Sequence, residues 1–111
     1  MENDIKLLDI VQLQKYIYLI ELFVSNQIEA NIFDHLFIQI RRDDSYWMSS
    51  EFDRRIEEIL NTFFLDIDEF SPDELLDPNN KFNINEAELR KRANKTLIKL
   101  KELLEKNRIK M

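Results

Sequence analysis

The sequence predicts an all-α fold, an antiparallel four-helix bundle with a long acidic loop between its third and fourth helices. Three observations carry this reading. The 111 residues contain no glycine and only two prolines, so hairpins, phosphate-binding loops and nucleophile elbows lose the residue that tolerates positive φ and close backbone approach. Turns then fall to Asn and Asp, which visit the left-handed region best among the remaining residues. Apolar residues recur at three- and four-residue spacing through most of the chain. A hydrophobic content of 44%, with eight Phe, is enough to close one core, and residues 1–111 read as a single helical domain.

The first helix is expected over residues 9–26. Leu13, Ile17, Ile20 and Val24 form its stripe, with Tyr16 and Phe23 flanking it. Tyr18, Leu19 and Leu22 make its other face apolar as well, which predicts the central helix of the domain. Gln27 and Ile28 lead into a second helix over 29–42, marked by Ile32, Phe33, Leu36, Phe37 and Ile40. Arg41 and Arg42 close it, as suits the negative end of a helix dipole. Asp43 to Ser49 reads as a polar connection apart from Tyr46, Trp47 and Met48. Ser50, with Asp53 three residues on, resembles a capping box with a shortened acid, and the third helix is expected over 50–66 with Phe52, Ile56, Ile59, Leu60, Phe63 and Phe64 inward.

From Asp66 to Asn85 no periodicity is sustained, although Ser71-Pro72-Asp73-Glu74 fits one short helical turn. A loop this long inside a compact domain is more often functional than idle. Asn85, with Glu88 following, caps a last helix over 86–107 whose stripe is Leu89, Ala93, Thr96, Leu97, Leu100, Leu103 and Leu104. No strand pairing is expected beyond an incidental short ladder.

Charge is unevenly placed. Residues 1–65 carry twelve acids and six bases, 66–88 carry eight acids and one base, and 89–111 carry two acids and nine bases, for a net −6. Lys91, Lys95 and Lys99 stand at like-charge i, i+4 spacing, which is mildly unfavourable in isolation. Either the acidic loop folds back on this basic helix, or it docks on a basic partner that its field would attract. Direct nucleic-acid binding is not expected of a chain with net −6 and no Arg-rich or aromatic recognition motif.

The chain has no cysteine, which removes disulfides, thiolate metal sites and thiol nucleophiles and points to a reducing cytoplasm. No apolar run is long enough to span a membrane, and Met1-Glu2-Asn3-Asp4 is acidic where a signal peptide is basic. His35 is the single histidine, without a Cys or Ser motif beside it, and is expected at the surface of the second helix. Asp66-Ile67-Asp68 begins like a calcium loop, but Phe70 and Ser71 stand where a ligand and the turn glycine belong. Glu57 and Glu58 read as a solvated face. Trp47 reads as a lid over the core, with an interface anchor as the alternative. The chain is therefore expected to be no enzyme, to need no cofactor or metal, and to act by binding another macromolecule.

Three segments resemble the colicin D immunity-like family of bacterial self-protective immunity proteins. They are Tyr16-Ile17-Tyr18-Leu19-Ile20-Glu21-Leu22-Phe23-Val24, the turn Gln27-Ile28-Glu29-Ala30-Asn31-Ile32-Phe33, and Phe63-Phe64-Leu65-Asp66-Ile67-Asp68-Glu69-Phe70-Ser71-Pro72-Asp73, with Glu86 to Arg90 opening the last helix. The third segment is the most specific.

The resemblance implies a four-helix bundle that neutralises a cognate toxin, typically a tRNA-cleaving ribonuclease of bacteriocin or contact-dependent inhibition type. It does so by plugging the basic active-site cleft with an acidic surface that imitates the tRNA backbone. Asp68 and Asp73 are the matched positions, with Phe70 packed beneath them. Together with the charge distribution this nominates Asp66, Asp68, Glu69, Asp73, Glu74 and Asp77 as toxin-binding residues. Ser71 departs from the acidic residue that can occur at its position, and the last helix is more basic than a tRNA mimic requires. The expected partner is a toxin nuclease domain, bound by a monomer in a 1:1 complex. An acidic helical adaptor for a basic protein unrelated to toxins would share the compositional features.

Overall fold

The computed structural model describes residues 5–70 and 84–106. Within them the chain forms five helices: α1 (Leu7–Val24), α2 (Ala30–Arg42), α3 (Ser45–Met48), α4 (Arg54–Asp68) and α5 (Glu86–Lys106). The strand-like pairing found among the described residues is an isolated bridge between Phe70 and Ile84. No described helix is long and apolar enough to cross a membrane.

Aromatic side chains build the centre. Phe23 of α1 stacks on Phe33 of α2 at 4.3 Å, and Phe63 of α4 approaches Phe33 at 5.9 Å and Phe37 at 5.6 Å. Tyr16 meets Phe37 at 5.4 Å and the Trp47 ring edge-on at 5.2 Å. Such tilted and edge-to-face pairs each add about 0.5–1.5 kcal/mol beyond the burial of their area. Trp47 is 3% exposed, so the core-lid reading is the one the fold adopts.

The α1–α2 turn is made without glycine. Asn26 takes φ 66°, its N–H reaches the Phe23 carbonyl at 3.1 Å, and the Gln27 N–H reaches the Leu22 carbonyl at 2.9 Å. These are the two bonds of a Schellman motif, with Asn filling the left-handed position. The other left-handed residue among those described is Ser50, at φ 57°, where neither Asn nor Asp was available.

Four expectations need correction. Asp43 to Ser49 is not merely a connection: Asp44 accepts the N–H groups of Tyr46 (3.0 Å) and Trp47 (3.3 Å) and caps the one-turn helix α3, which inserts Trp47 into the core. The helix expected from residue 50 starts at Arg54, capped by Asp53 through the Arg55 N–H at 2.9 Å. Phe52 is buried against Tyr46, and Asp9 takes the Asp53 N–H at 3.2 Å, which pins this stretch in a non-helical path. The same helix continues past residue 66, because Ile67, four residues beyond Phe63, completes its buried stripe. Finally, α1 is not buried on all sides. Leu7, Leu8, Val11 and Tyr18 are 63%, 53%, 58% and 65% exposed, since α2 and α5 cover its inner face only.

Candidate functional site

One end of the molecule gathers the last turn of α4, the first turns of α2 and α5, and the end of α1. The Glu86 carboxylate accepts the Ala30 N–H at 3.2 Å and pairs with Arg90 at 3.2 Å, while Arg90 donates to the Phe23 carbonyl at 3.1 Å. The Ile84 N–H bonds the Glu69 carbonyl at 3.0 Å, so the start of the approach to α5 meets the end of α4 here. Asp73, Glu74 and Asp77 fall between Glu69 and Ile84 in sequence and lie outside the described residues.

Asp66, Asp68 and Glu69 are brought together here, but on a helix rather than a loop. Asp66 and Asp68 belong to the last turn of α4 and Glu69 is its C-cap. That turn holds no basic residue, so three acids face the negative end of the helix dipole, an arrangement that disfavours the helix. Two of the three are compensated. Arg92 of α5 pairs with Asp66 at 2.8 Å, with Glu69 at 3.6 Å and with Glu88 at 2.9 Å. Part of the acidic stretch thus does fold back on the basic helix, through Arg92. The Glu88 hydrogen bond raises the Arg92 pKa against its partial burial, and that same bond draws the Glu88 carboxyl down.

Asp68 is exposed and has no ion pair with the described residues. Asp34 of α2 is half-buried, and its pKa is pushed up chiefly by burial, with His35 drawing it down and the Asp68 charge adding a smaller upward push. An acid such as Asp68 at the negative end of a helix dipole, with no base in its turn, costs stability. It is left open to a cationic partner. Leu65, one turn before Asp68 and 62% exposed, sets an apolar side chain beside it.

Asp34 and Leu65 were not singled out from sequence. The signal for Asp34 was present: it lies four residues after Ala30 and three before Phe37, both fully buried, which places an acid at the border of the inner face. Leu65 carried no signal, since an apolar residue near a helix end is counted into the core by default. His35 lies at the surface, as expected. Glu58 is exposed and paired with Arg54 at 3.2 Å, and Glu57 is half-buried. Lys95 and Lys99 line a groove of about 360 Å³ between α4 and α5, together with Glu58, Thr62 and Asp66.

No curated protein and no solved structure matches the chain. The family described as bacterial self-protective colicin-like immunity matches residues 11–100. That stretch runs from the second turn of α1 into α5 and includes the acidic end of α4. The chain belongs to the family of bacterial self-protective colicin-like immunity proteins.

Proposed function

We propose that this protein neutralises a cognate bacterial toxin, a tRNA-cleaving ribonuclease of bacteriocin or contact-dependent inhibition type, by seating its acidic end in the enzyme's basic active-site cleft. The observation that carries the proposal is the acidic end of α4, where Asp66, Asp68 and Glu69 stand at the negative end of the helix dipole with no basic residue in the turn and Asp68 has no ion pair with the described residues. A fold optimised for stability alone would place a base there. Asp66 and Glu69, held by Arg92, form the rim, and Asp73, Glu74 and Asp77, which follow them in sequence, are proposed as further toxin contacts.

A nuclease cleft shaped for phosphates presents desolvated Lys and Arg side chains, and carboxylates take the place of the phosphate oxygens without offering a bond to cleave. Inhibition is then occupancy, one toxin domain per immunity chain. It takes place in the cytoplasm, where the RNA substrate lies, and needs neither catalysis nor cofactor nor metal. Steering by the net −6 charge accelerates the encounter and weakens with salt.

Expressing the protein with the toxin domain encoded beside it tests this reading. Growth and intact tRNA are expected with the wild-type protein. Loss of both in the double variant Asp34→Lys/Asp68→Lys, at unchanged protein level, supports the acidic end as the inhibitory surface. Full protection by that variant would overturn it, and an adjacent gene encoding no toxin would favour the helical-adaptor alternative.

A further inference from the structure

The outer face of α1 is unusual for an exposed helix surface. Leu7, Val11, Gln14, Tyr18 and Glu21 follow one another at alternating spacings of four and three, and all are exposed. This is the spacing of a two-helix seam. Leu8 broadens the stripe on one side, and at the far end Tyr18 and Leu22 open into a groove of about 400 Å³ against Leu97 of α5. Leu7, Leu8, Val11 and Tyr18 thus put four large apolar side chains on one exposed helix face, with Gln14 between the last two, and a cluster of this kind marks an interaction site.

We propose that a second copy of this chain occupies the stripe, the two α1 helices packing antiparallel about a two-fold axis. The stripe is self-complementary in that orientation. A two-fold placed between Gln12 and Leu13 sets Leu7 against Tyr18 of the other copy and Val11 against Gln14, each contact occurring twice, as an isologous interface requires. Charge favours the same occupant. Between Lys6 and Glu21 the basic side chain is Lys15, tied to Asp44 at 3.1 Å, and Glu21 is tied to Lys101 at 3.3 Å. The face is therefore close to neutral, and two copies of a chain with net −6 meet there without local like-charge repulsion. A basic cleft finds no field on this face to read. Antiparallel pairing also brings the Lys6 end of one helix to the Glu21 end of the other, whereas parallel pairing would set Lys6 beside Lys6.

The stripe is one helix face wide, narrower than the roughly 800 Å² per partner of standard interfaces, so the dimer is weak and forms at high protein concentration. The proposal departs from the monomer expected from sequence, and it leaves the acidic end free to take one toxin domain per chain. It does not depend on the identity of the toxin.

Sedimentation of the isolated protein between about 1 µM and 1 mM should show the mass rising from 13.5 kDa toward twice that value. Val11→Lys should weaken association at least about tenfold with helicity unchanged. The chain lacks cysteine, which allows a geometric test. Residues 7 and 18 lie roughly 16 Å apart along one helix, too far for a disulfide within a chain. The double variant Leu7→Cys/Tyr18→Cys should therefore give covalent dimer under mild oxidation, and neither single variant should. A constant 13.5 kDa mass across the range would overturn the proposal. So would cross-linking by either single variant, which indicates parallel pairing, or loss of toxin binding by Val11→Lys in a protein that never dimerises, which assigns the stripe to the toxin.

Discussion

Asp9 and Asp44 are buried, at 0% and 5% exposure, and each is answered from a distant part of the chain. The Tyr16 hydroxyl donates to Asp44 at 2.5 Å, with Lys15 also on that carboxylate, and the Tyr46 hydroxyl donates to Asp9. Burial followed by these carboxylate bonds raises the pKa of both tyrosines. At Asp44, burial pushes the carboxyl up, but the bonds from Tyr16, Lys15 and the Trp47 N–H together outweigh it and hold the pKa below the usual range. Asp53 is held low by Arg55. Removing the Asp44 carboxylate orphans a buried hydroxyl and two N–H groups, so Asp44→Ala should cost about 3 kcal/mol, read from the shift of the denaturation midpoint. The pH dependence follows from the signs. Asp44 and Asp53 bind protons less readily folded than unfolded, so their stabilisation is complete above about pH 4 and is lost as pH falls through the lower folded values. Asp34 has the opposite sign: its contribution is present below the unfolded pKa and lost as pH rises through the raised one. Asp34→Asn should therefore raise the melting temperature at pH 7 and leave it nearly unchanged near pH 3, and an equal shift at both values would show that folding does not raise the Asp34 pKa. The burial of Asp9 and Asp44 was not legible from sequence. A periodic pattern assigns acids to the solvent side, and the tyrosines that reverse this for Asp9 and Asp44 lie 37 and 28 residues away.

Helices α1, α2 and α5 were legible because each carries a long stripe. The cap of α5 was legible too, since Asn85 accepts the Glu88 N–H at 2.9 Å. Asn85→Ala should cost about 1 kcal/mol, and a shift below roughly 0.2 kcal/mol would show that the cap is idle. The one-turn α3 escaped because four residues carry no period, and the start of α4 was displaced because Ser50 looked like a cap while Asp53 performs that role. In α4 the stripe itself was read correctly: Phe63 is fully buried against α2. Phe63→Ala should destabilise by roughly 3–5 kcal/mol, and an unchanged denaturation midpoint would contradict the packing of α4 on α2. The open face of α1 was hidden by its own composition. A helix apolar all round reads as central, and sequence does not say on how many sides neighbours stand.

At the scale of the molecule, charge is divided between a side used internally and a side left open. Arg92 gathers Asp66, Glu69 and Glu88 into the fold, which explains part of the basic character of α5, while Asp68, at the same end, has no ion pair with the described residues. The sequence located this acidic end through the concentration of charge and the resemblance, but it assigned the acids to a loop and overlooked α2, because α2 reaches the site only through the tertiary packing of Phe33 and Phe37 on Phe63. The central claim is that this open acidic end enters a basic cleft. If the acidic end enters such a cleft, reversing Asp68 to Lys places like charge against desolvated cations, with an expected loss of about 2–5 kcal/mol, roughly 30-fold to several thousand-fold in affinity. Reversing Glu58, exposed and already paired with Arg54, should only slow association modestly and flatten its salt dependence. The measurement is calorimetric affinity for the cognate toxin domain of the wild type, Asp34→Lys, Asp68→Lys, Asp73→Lys and Glu58→Lys, with helicity as the folding control. The account predicts large losses for the first two variants and for Asp73→Lys, and little for Glu58→Lys; folded Asp34→Lys and Asp68→Lys proteins that bind within about twofold of wild type would contradict it.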